Sequence, residues 1–249
     1  MRSALLAFKI RTWVCSAGYG LIRIGDRISP YSATFSAKHP DSVCRGVSDL
    51  RGRDLLSAWW TCLARWPGPS GEAPRSLAEL AEAYPKSPLI VVAPERYLHA
   101  VQGDLTVAAG RFADPNLLMI VSAGTKTLGE LDRFLVPCDA RLQPLVGGIR
   151  RTLNIRVARK IVSEAASAPR LDDLQRSYGK LLEKQLPLPV YDRRPMTDAH
   201  VRAYIRKELR RADQAHTPLL RKLRDHGSAC EYSRFSALYH QVRGERDDG

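Results

Sequence analysis

The tripeptide Ser-Ala-Gly occurs twice in this chain, at residues 16–18 and 122–124, and each copy closes an apolar run: Trp13-Val14-Cys15 before the first, Met119-Ile120-Val121 before the second. A small hydroxyl residue followed by two residues with little side chain leaves room beside the backbone for a flat ligand. Ser16, Gly18, Ser122 and Gly124 are therefore candidates for one binding rim; chance repetition of a common tripeptide is the competing explanation. A third stretch, Leu145-Val146-Gly147-Gly148-Ile149-Arg150-Arg151, leads into a helical pattern. Glycines ahead of a helix free backbone N–H groups to face an anion, and Arg150 and Arg151 add charge, which suits phosphate. The spacing is not that of a P-loop, and a plain turn with a solvated basic face fits the same residues. Cysteines 15, 44, 62, 138 and 230 include no Cys-x-x-Cys pair, and the six histidines show no close ligand spacing. Neither a metal nor a cofactor is expected.

These groups need elements to hold them. Arg11 to Ala17 reads as a strand running into the Gly18-Tyr19-Gly20 loop, and Asp49 to Trp66 has helical spacing, stopped by Pro67-Gly68-Pro69. Ser76-Leu77-Ala78-Glu79 has capping-box spacing and opens a short helix to Tyr84. Pro88 to Ala93 and Asn116 to Ser122 are continuous apolar β-type runs, with a helix from Pro94-Glu95 to about Ala109 between them. The order β, α, β, α, β predicts an α/β fold, a mainly parallel sheet with flanking helices, over residues 1–166. Ligands of such a sheet sit beyond the carboxyl ends of its strands.

Beyond residue 166 the pattern is helical only, giving a second domain over 167–249. Leu171 to Gln185 and Asp198 to Arg211 are amphipathic; Pro187-Leu188-Pro189 and Arg193-Arg194-Pro195 between them suggest a linker. Thr217-Pro218 reads as an N-cap and first helical residue, Gly227 as the stop, and Ser228 to Glu231 as a second capping box. Helix, glycine turn, helix suggests a helix-turn-helix-like pair in which Ser233, Arg234, His240 and Gln241 face a DNA groove, with a helical hairpin that merely packs as the alternative.

The chain has 249 residues, 44% of them hydrophobic and 26% charged, a folded globular composition without a run approaching the roughly 20 apolar residues of a membrane span. The N-terminal apolar stretch is too short for a secretory leader, so a cytoplasmic location is expected, with no membrane partner. The net charge is +13, and residues 150–249 carry 22 Lys+Arg against 13 Asp+Glu. Such asymmetry is the electrostatic footprint of a polyanion partner, DNA being the expected one.

Cys15-Ser16-Ala17-Gly18-Tyr19-Gly20-Leu21-Ile22, followed by Asp26-Arg27-Ile28-Ser29-Pro30-Tyr31 and Thr34-Phe35, resembles the Ser-Ala-x-Tyr-Gly-Leu…Asp…Ile-x-Pro-Tyr signature of the YaaA-like superfamily. These are bacterial proteins linked to DNA protection and, in a DpdC-like branch, to 7-deazaguanine modification of DNA. The match covers about the first 40 residues. Relatives carry a further strand upstream, whereas barely ten residues precede this one, so either the start is misplaced or part of the pocket is lacking. The resemblance implies a base-sized pocket near Ser16, Tyr19, Gly20, Asp26 and Tyr31, in which rings stack on a purine-like face and a carboxylate accepts from its edge.

Two functions follow. The first is an enzyme acting on a modified base in DNA, converting a 7-cyano to a 7-amido group by nitrile hydration. That needs a nucleophile or activated water and a proton donor. Cys15 and Asp26 are the candidates, with Cys230-Glu231 a second thiol and carboxylate. The second, with an adaptor to other proteins of a phage-defence or DNA-modification gene cluster as a further alternative, is a non-catalytic DNA-binding or DNA-protecting protein. In that case Tyr31 caps a core, Asp26 closes a turn and Ser16 satisfies a strand end.

Overall fold

Three residues separate Ser16 from Gly20, and a parallel connection needs a dozen or more. The chain therefore folds straight back: β1 (Trp13–Ser16) pairs antiparallel with β2 (Gly20–Arg23), in the register Trp13↔Arg23 to Ser16↔Gly20. In this computed structural model, which describes residues 8–36, 39–47, 49–71, 74–125, 127–188 and 192–247, the fold is mixed α/β with small sheets. The expected mainly parallel sheet is corrected on this point. Its first strand belongs to a separate hairpin, and the order begins β, β, α, α before the parallel pair.

The chain forms two compact units, Met1–Pro187 and Leu188–Gly249. In the first, α1 (Asp49–Arg65) and α2 (Leu77–Ala83) precede a βαβ crossover of β3 (Leu89–Val92), α3 (Glu95–Ala109) and β4 (Leu118–Val121). β3 and β4 are parallel, Leu89↔Leu118 to Val92↔Val121, and Leu135 adds a parallel bridge to Ile120. Leu118, Met119, Ile120 and Val121 are all buried, as the unbroken apolar run requires. The Asp104 carboxylate ties three helices together. From α3 it accepts from Leu77 N at 2.7 Å, Ala78 N at 2.9 Å and Trp60 Nε1 at 2.9 Å, placing a negative charge on the open N–H groups of α2. Ser76 caps α2 as expected, its Oγ accepting from Glu79 N; the Glu79 carboxylate reaches back one residue further than a capping box does, to Arg75 N at 2.7 Å.

A short α4 (Gln143–Val146), then α5 (Leu153–Glu164) and α6 (Leu171–Glu183), complete this unit. Leu171, Tyr178 and Leu182 are buried in the same core as β3 and β4. The boundary therefore falls at 187/188 and not at 166/167: the apolar stripe of α6 has its partners in the first unit.

The second unit has its own core. Val201, Ile205 and Leu209 come from α7 (Asp198–Arg211), Leu219, Leu220 and Leu223 from α8 (His216–Asp225), and Phe235, Leu238, Tyr239 and Val242 from α9 (Tyr232–Asp247). β5 (Arg194–Pro195) and β6 (Ser228–Ala229) form a two-residue parallel pair. Two expected caps are corrected here. α8 starts at His216, ahead of Thr217 and Pro218, with Ala215 as its N-cap residue. Ser228 is held in β6, so the turn before α9 is set by backbone pairing and not by a capping box. Residues 1–7, where the absence of a secretory leader was read, and Pro189 of the expected linker lie outside the described residues.

Candidate functional site

The β1–β2 turn is built around one hydroxyl. Ser16 Oγ accepts from Gly18 N at 3.2 Å and Tyr19 N at 3.0 Å, and donates to Tyr31 Oη at 2.8 Å. Gly18 is required for an unexpected reason. A Cβ there would lie 2.4–2.9 Å from Cδ2, Cε2 and Cγ of Tyr31, so the flat group resting against this turn is the protein's own tyrosine ring. Tyr19 stands edge-on to Tyr31, ring centroids 5.2 Å apart, and 5.7 Å from Trp66; its hydroxyl both donates to Ser29 O and accepts from Ser29 N at 3.2 Å. Gly20 has φ +72°, a left-handed conformation that only glycine adopts without strain.

Beneath the turn lies a residue that sequence reasoning missed. Arg75 is 6% exposed and donates to the carbonyls of Tyr19, Leu21, Leu63 and Trp66, fastening the hairpin to the end of α1. Burial lowers its affinity for the proton, partly countered by the Asp26 and Glu79 carboxylates. No local pattern marks Arg75, which follows a proline in a polar stretch and reads as solvated.

The catalytic candidates are placed without catalytic geometry. The Cys15 thiol is pushed up to about 12 by burial, with the Asp104 charge adding to the effect, so it is not a thiolate at neutral pH. Asp26 Oδ2 accepts from Arg23 N at 2.9 Å and closes the turn after β2. The second Ser-Ala-Gly lies in a different sheet from the first. Buried Ser122 accepts from Thr125 Oγ1 at 2.7 Å, Gly124 turns the chain at φ +75°, and Ala123 N donates to Asn154 Oδ1 at 2.8 Å. Asn154 Nδ2 in turn donates to Ala93 O at 3.0 Å, so one amide of α5 closes the carboxyl ends of both parallel strands. The structure thus assigns Ser16 and Ser122 to separate hydrogen-bonded turns, each internally satisfied.

The glycine cradle is likewise occupied from within. Gly147 N donates to Gln143 O at 2.8 Å, and Gly148 O accepts from Gln143 Nε2 at 2.8 Å. The Arg156 side chain lies over Gly148, where a Cβ would fall 2.2 Å from its Nε. Both glycines have positive φ, 69° and 74°, so they serve the chain reversal. Arg150 and Arg151 are exposed ahead of α5.

In the second unit the expected groove-reading residues Ser233, His240 and Gln241 are exposed and Arg234 is half-buried, and several of them already have partners within the unit. Arg234 bonds Asp198 Oδ1 through Nε at 2.7 Å and Met196 O through Nη2 at 2.9 Å; Gln241 accepts from Arg202 Nη2 at 3.0 Å. His240 packs against Tyr239 and His216, at 5.4 and 5.7 Å between centroids. The exposed positions of α9 include Ser233, Ala237, His240, Gln241 and Gly244 together with Arg243, which bonds Asp213 Oδ2 through Nη2 at 3.1 Å. Cys230 is buried, its thiol raised by desolvation, and its carbonyl accepts from Arg224 Nη2 at 2.8 Å, while exposed Glu231 contributes its carbonyl to the start of α9.

Positive charge gathers elsewhere in this unit. A cavity of about 410 Å³ is lined by Arg193, Arg224 and Arg234 with Cys230 and Glu231. One of about 330 Å³ is lined by Lys207, Arg211, Lys222 and His226 around Glu208. Pro195 and Ala229 line the first, Met196 and Ser228 the second, so the β5–β6 pair divides them. Glu208 is buried and accepts from Lys222 Nζ, with Arg211 at 3.7 Å; these cations hold its carboxyl below the usual range. The signal was present in the sequence, since Lys207 and Arg211, and Lys222 and His226, are both i, i+4 pairs that share a helix face.

Among the described residues no group of three or more His, Cys, Asp or Glu is placed to hold a metal ion, and no helix is long and apolar enough to cross a membrane. No protein-family model matches the chain, and neither curated proteins nor solved structures gave a match.

Proposed function

We propose that this chain is a non-catalytic nucleic-acid-binding protein whose phosphate-contacting surface lies on the C-terminal unit. The observation that carries this reading is the lining of the two cavities flanking β5–β6. Six cationic side chains, Arg193, Arg224, Arg234, Lys207, Arg211 and Lys222, are gathered there with His226, and Glu208 and Glu231 are the carboxylates among the lining groups. Concave surfaces in which cations outnumber carboxylates focus the field on an approaching polyanion, and phosphate contacts of this kind position a nucleic acid without reading its sequence. Against nitrile hydration stand a Cys15 thiol far from its reactive form, an Asp26 engaged in a turn, and a Tyr31 ring occupying the hollow that a base would fill. The alliance with the YaaA-like superfamily, DpdC-like branch included, accordingly rests on the Cys15–Phe35 motif alone, and the binding function does not depend on it.

The test is fluorescence anisotropy of a labelled DNA duplex and single strand across a salt series. We expect log K to fall steeply with log salt, and Lys207→Gln with Arg211→Gln to flatten the slope by roughly 0.7–0.9 per cation removed. Binding that is absent at low salt would reject the proposal; a slope untouched by the double substitution would take the phosphates off this surface.

A further inference from the structure

Three aromatic residues from outside the hairpin meet the β1–β2 turn. Tyr31 rests against Gly18, Trp59 donates from Nε1 to Ala17 O at 2.8 Å, and Trp66 abuts Tyr19. Burying a large ring is worth several kilocalories per mole, so a folded chain ordinarily covers such groups. Here three stay open: Tyr31 is 44% exposed, Trp66 42% and Trp59 38%. Their mounts are rigid. Tyr31 is pinned through its hydroxyl to Ser16, Trp59 through its indole to the turn backbone, Trp66 by Arg75, whose guanidinium lies 5.6 Å from its ring centroid and whose Nε donates to its carbonyl, and the turn itself by Arg75. Tyr19 meets its two neighbours at 76° and 46°, so it stacks face to face with neither exposed ring. Exposed arginines, Arg27 ahead of Ser29 and Arg65 beside Trp66, flank the cluster in the chain.

Tethered aromatic rings with exposed surface, interleaved with cations, are the equipment of single-strand binders, whose bases stack on rings while arginines follow the backbone. From this we infer that Tyr31 and Trp66 form a stacking platform for unpaired bases, so that the nucleic acid this chain takes is single-stranded at the point of contact. The inference rests on the nucleic-acid reading of the C-terminal unit, and it adds a second contact of a different chemistry. The hollow at the turn is closed to a base, but the residue that closes it is itself 44% exposed. Gly18 acts as a positioning residue, because any side chain there would displace the Tyr31 ring.

The probes are two labelled oligomers of equal length and charge, twelve thymidines and twelve abasic units, titrated into the full chain. We expect the thymidine oligomer to bind about tenfold or more tightly, as stacking of one or two bases predicts. Tyr31→Leu with Trp66→Leu should abolish that ratio at unchanged helicity, Gly18→Ala should reduce it, and Tyr31→Phe, which keeps the ring and loses only the bond to Ser16, should retain it. Lys207→Gln with Arg211→Gln should weaken both oligomers in proportion and leave the ratio alone. Equal, salt-sensitive affinity of the unmodified chain for both oligomers would overturn the platform and leave the phosphate reading standing. Failure to bind either would overturn both. A ratio that survives the double leucine substitution would also overturn the assignment, and self-association lost in that variant, with equal oligomer affinities, would give the rings to a protein contact.

Discussion

Arg75 shows how much one side chain can organise. Its guanidinium answers four backbone carbonyls from the hairpin and the end of α1, acceptors that would otherwise be covered without partners. Replacing it with a shorter amide strands most of them, and uncompensated buried acceptors cost about 1–3 kcal/mol each when solvent cannot reach them. Arg75→Gln should therefore lower unfolding free energy by about 3 kcal/mol, read from urea titration of the tryptophan fluorescence. Legibility in the sequence ran in the opposite direction to importance. Ser16, Gly18, Tyr19 and Tyr31 stood out by type and spacing, and the structure does gather them at one turn, yet as partners of each other. Arg75 and Asn154, which hold that turn and the parallel strand ends, act across long stretches of chain, where no spacing rule reaches them.

At the level of elements, patterns that are complete within one segment were readable. α7 runs from Asp198 to Arg211 as its periodicity predicts, with Thr197 Oγ1 capping His200 N, and the apolar runs at 88–93 and 116–122 contain β3 and β4. What failed was pairing. β2 is short and follows so closely on β1 that no strand pattern marks it, only the Gly18-Tyr19-Gly20 loop ahead of it being legible, and Ser228 has the spacing of a cap although it pairs with Arg194 in the β5–β6 strand pair. The α7–α8 contact offers a pH test, because the Glu208 carboxyl sits below its ordinary range through Lys222 and Arg211. A carboxylate favoured in the folded state stabilises above its unfolded pKa, and that contribution fades as acid protonates it on the way down through the folded value. Thermal melts should therefore show the parent losing stability steeply below about pH 4.5, with Glu208→Gln less stable at neutral pH and flatter across the acid limb.

The whole molecule consists of two separately cored units, and the charge is divided unevenly between them in character. The C-terminal unit holds 13 Lys+Arg against 9 Asp+Glu over residues 188–249, many of them in ion pairs that its helices share. Because its core draws on its own helices, residues 188–249 expressed alone should give a helical circular dichroism spectrum and retain the salt-dependent part of oligonucleotide binding; a fragment without helical signal would show that the core needs the rest of the chain. Composition announced that division only as a change of texture near residue 166, since amphipathicity in α6 tells that a stripe is buried but not against which neighbour. There is also an order in time. The guanidinium that locks the hairpin lies 54 residues downstream of Leu21, so a growing polypeptide exposes those first two strands at the ribosomal exit well before their clasp has been synthesised. The aromatic surface is thus assembled late, after the hairpin that it surrounds has already emerged.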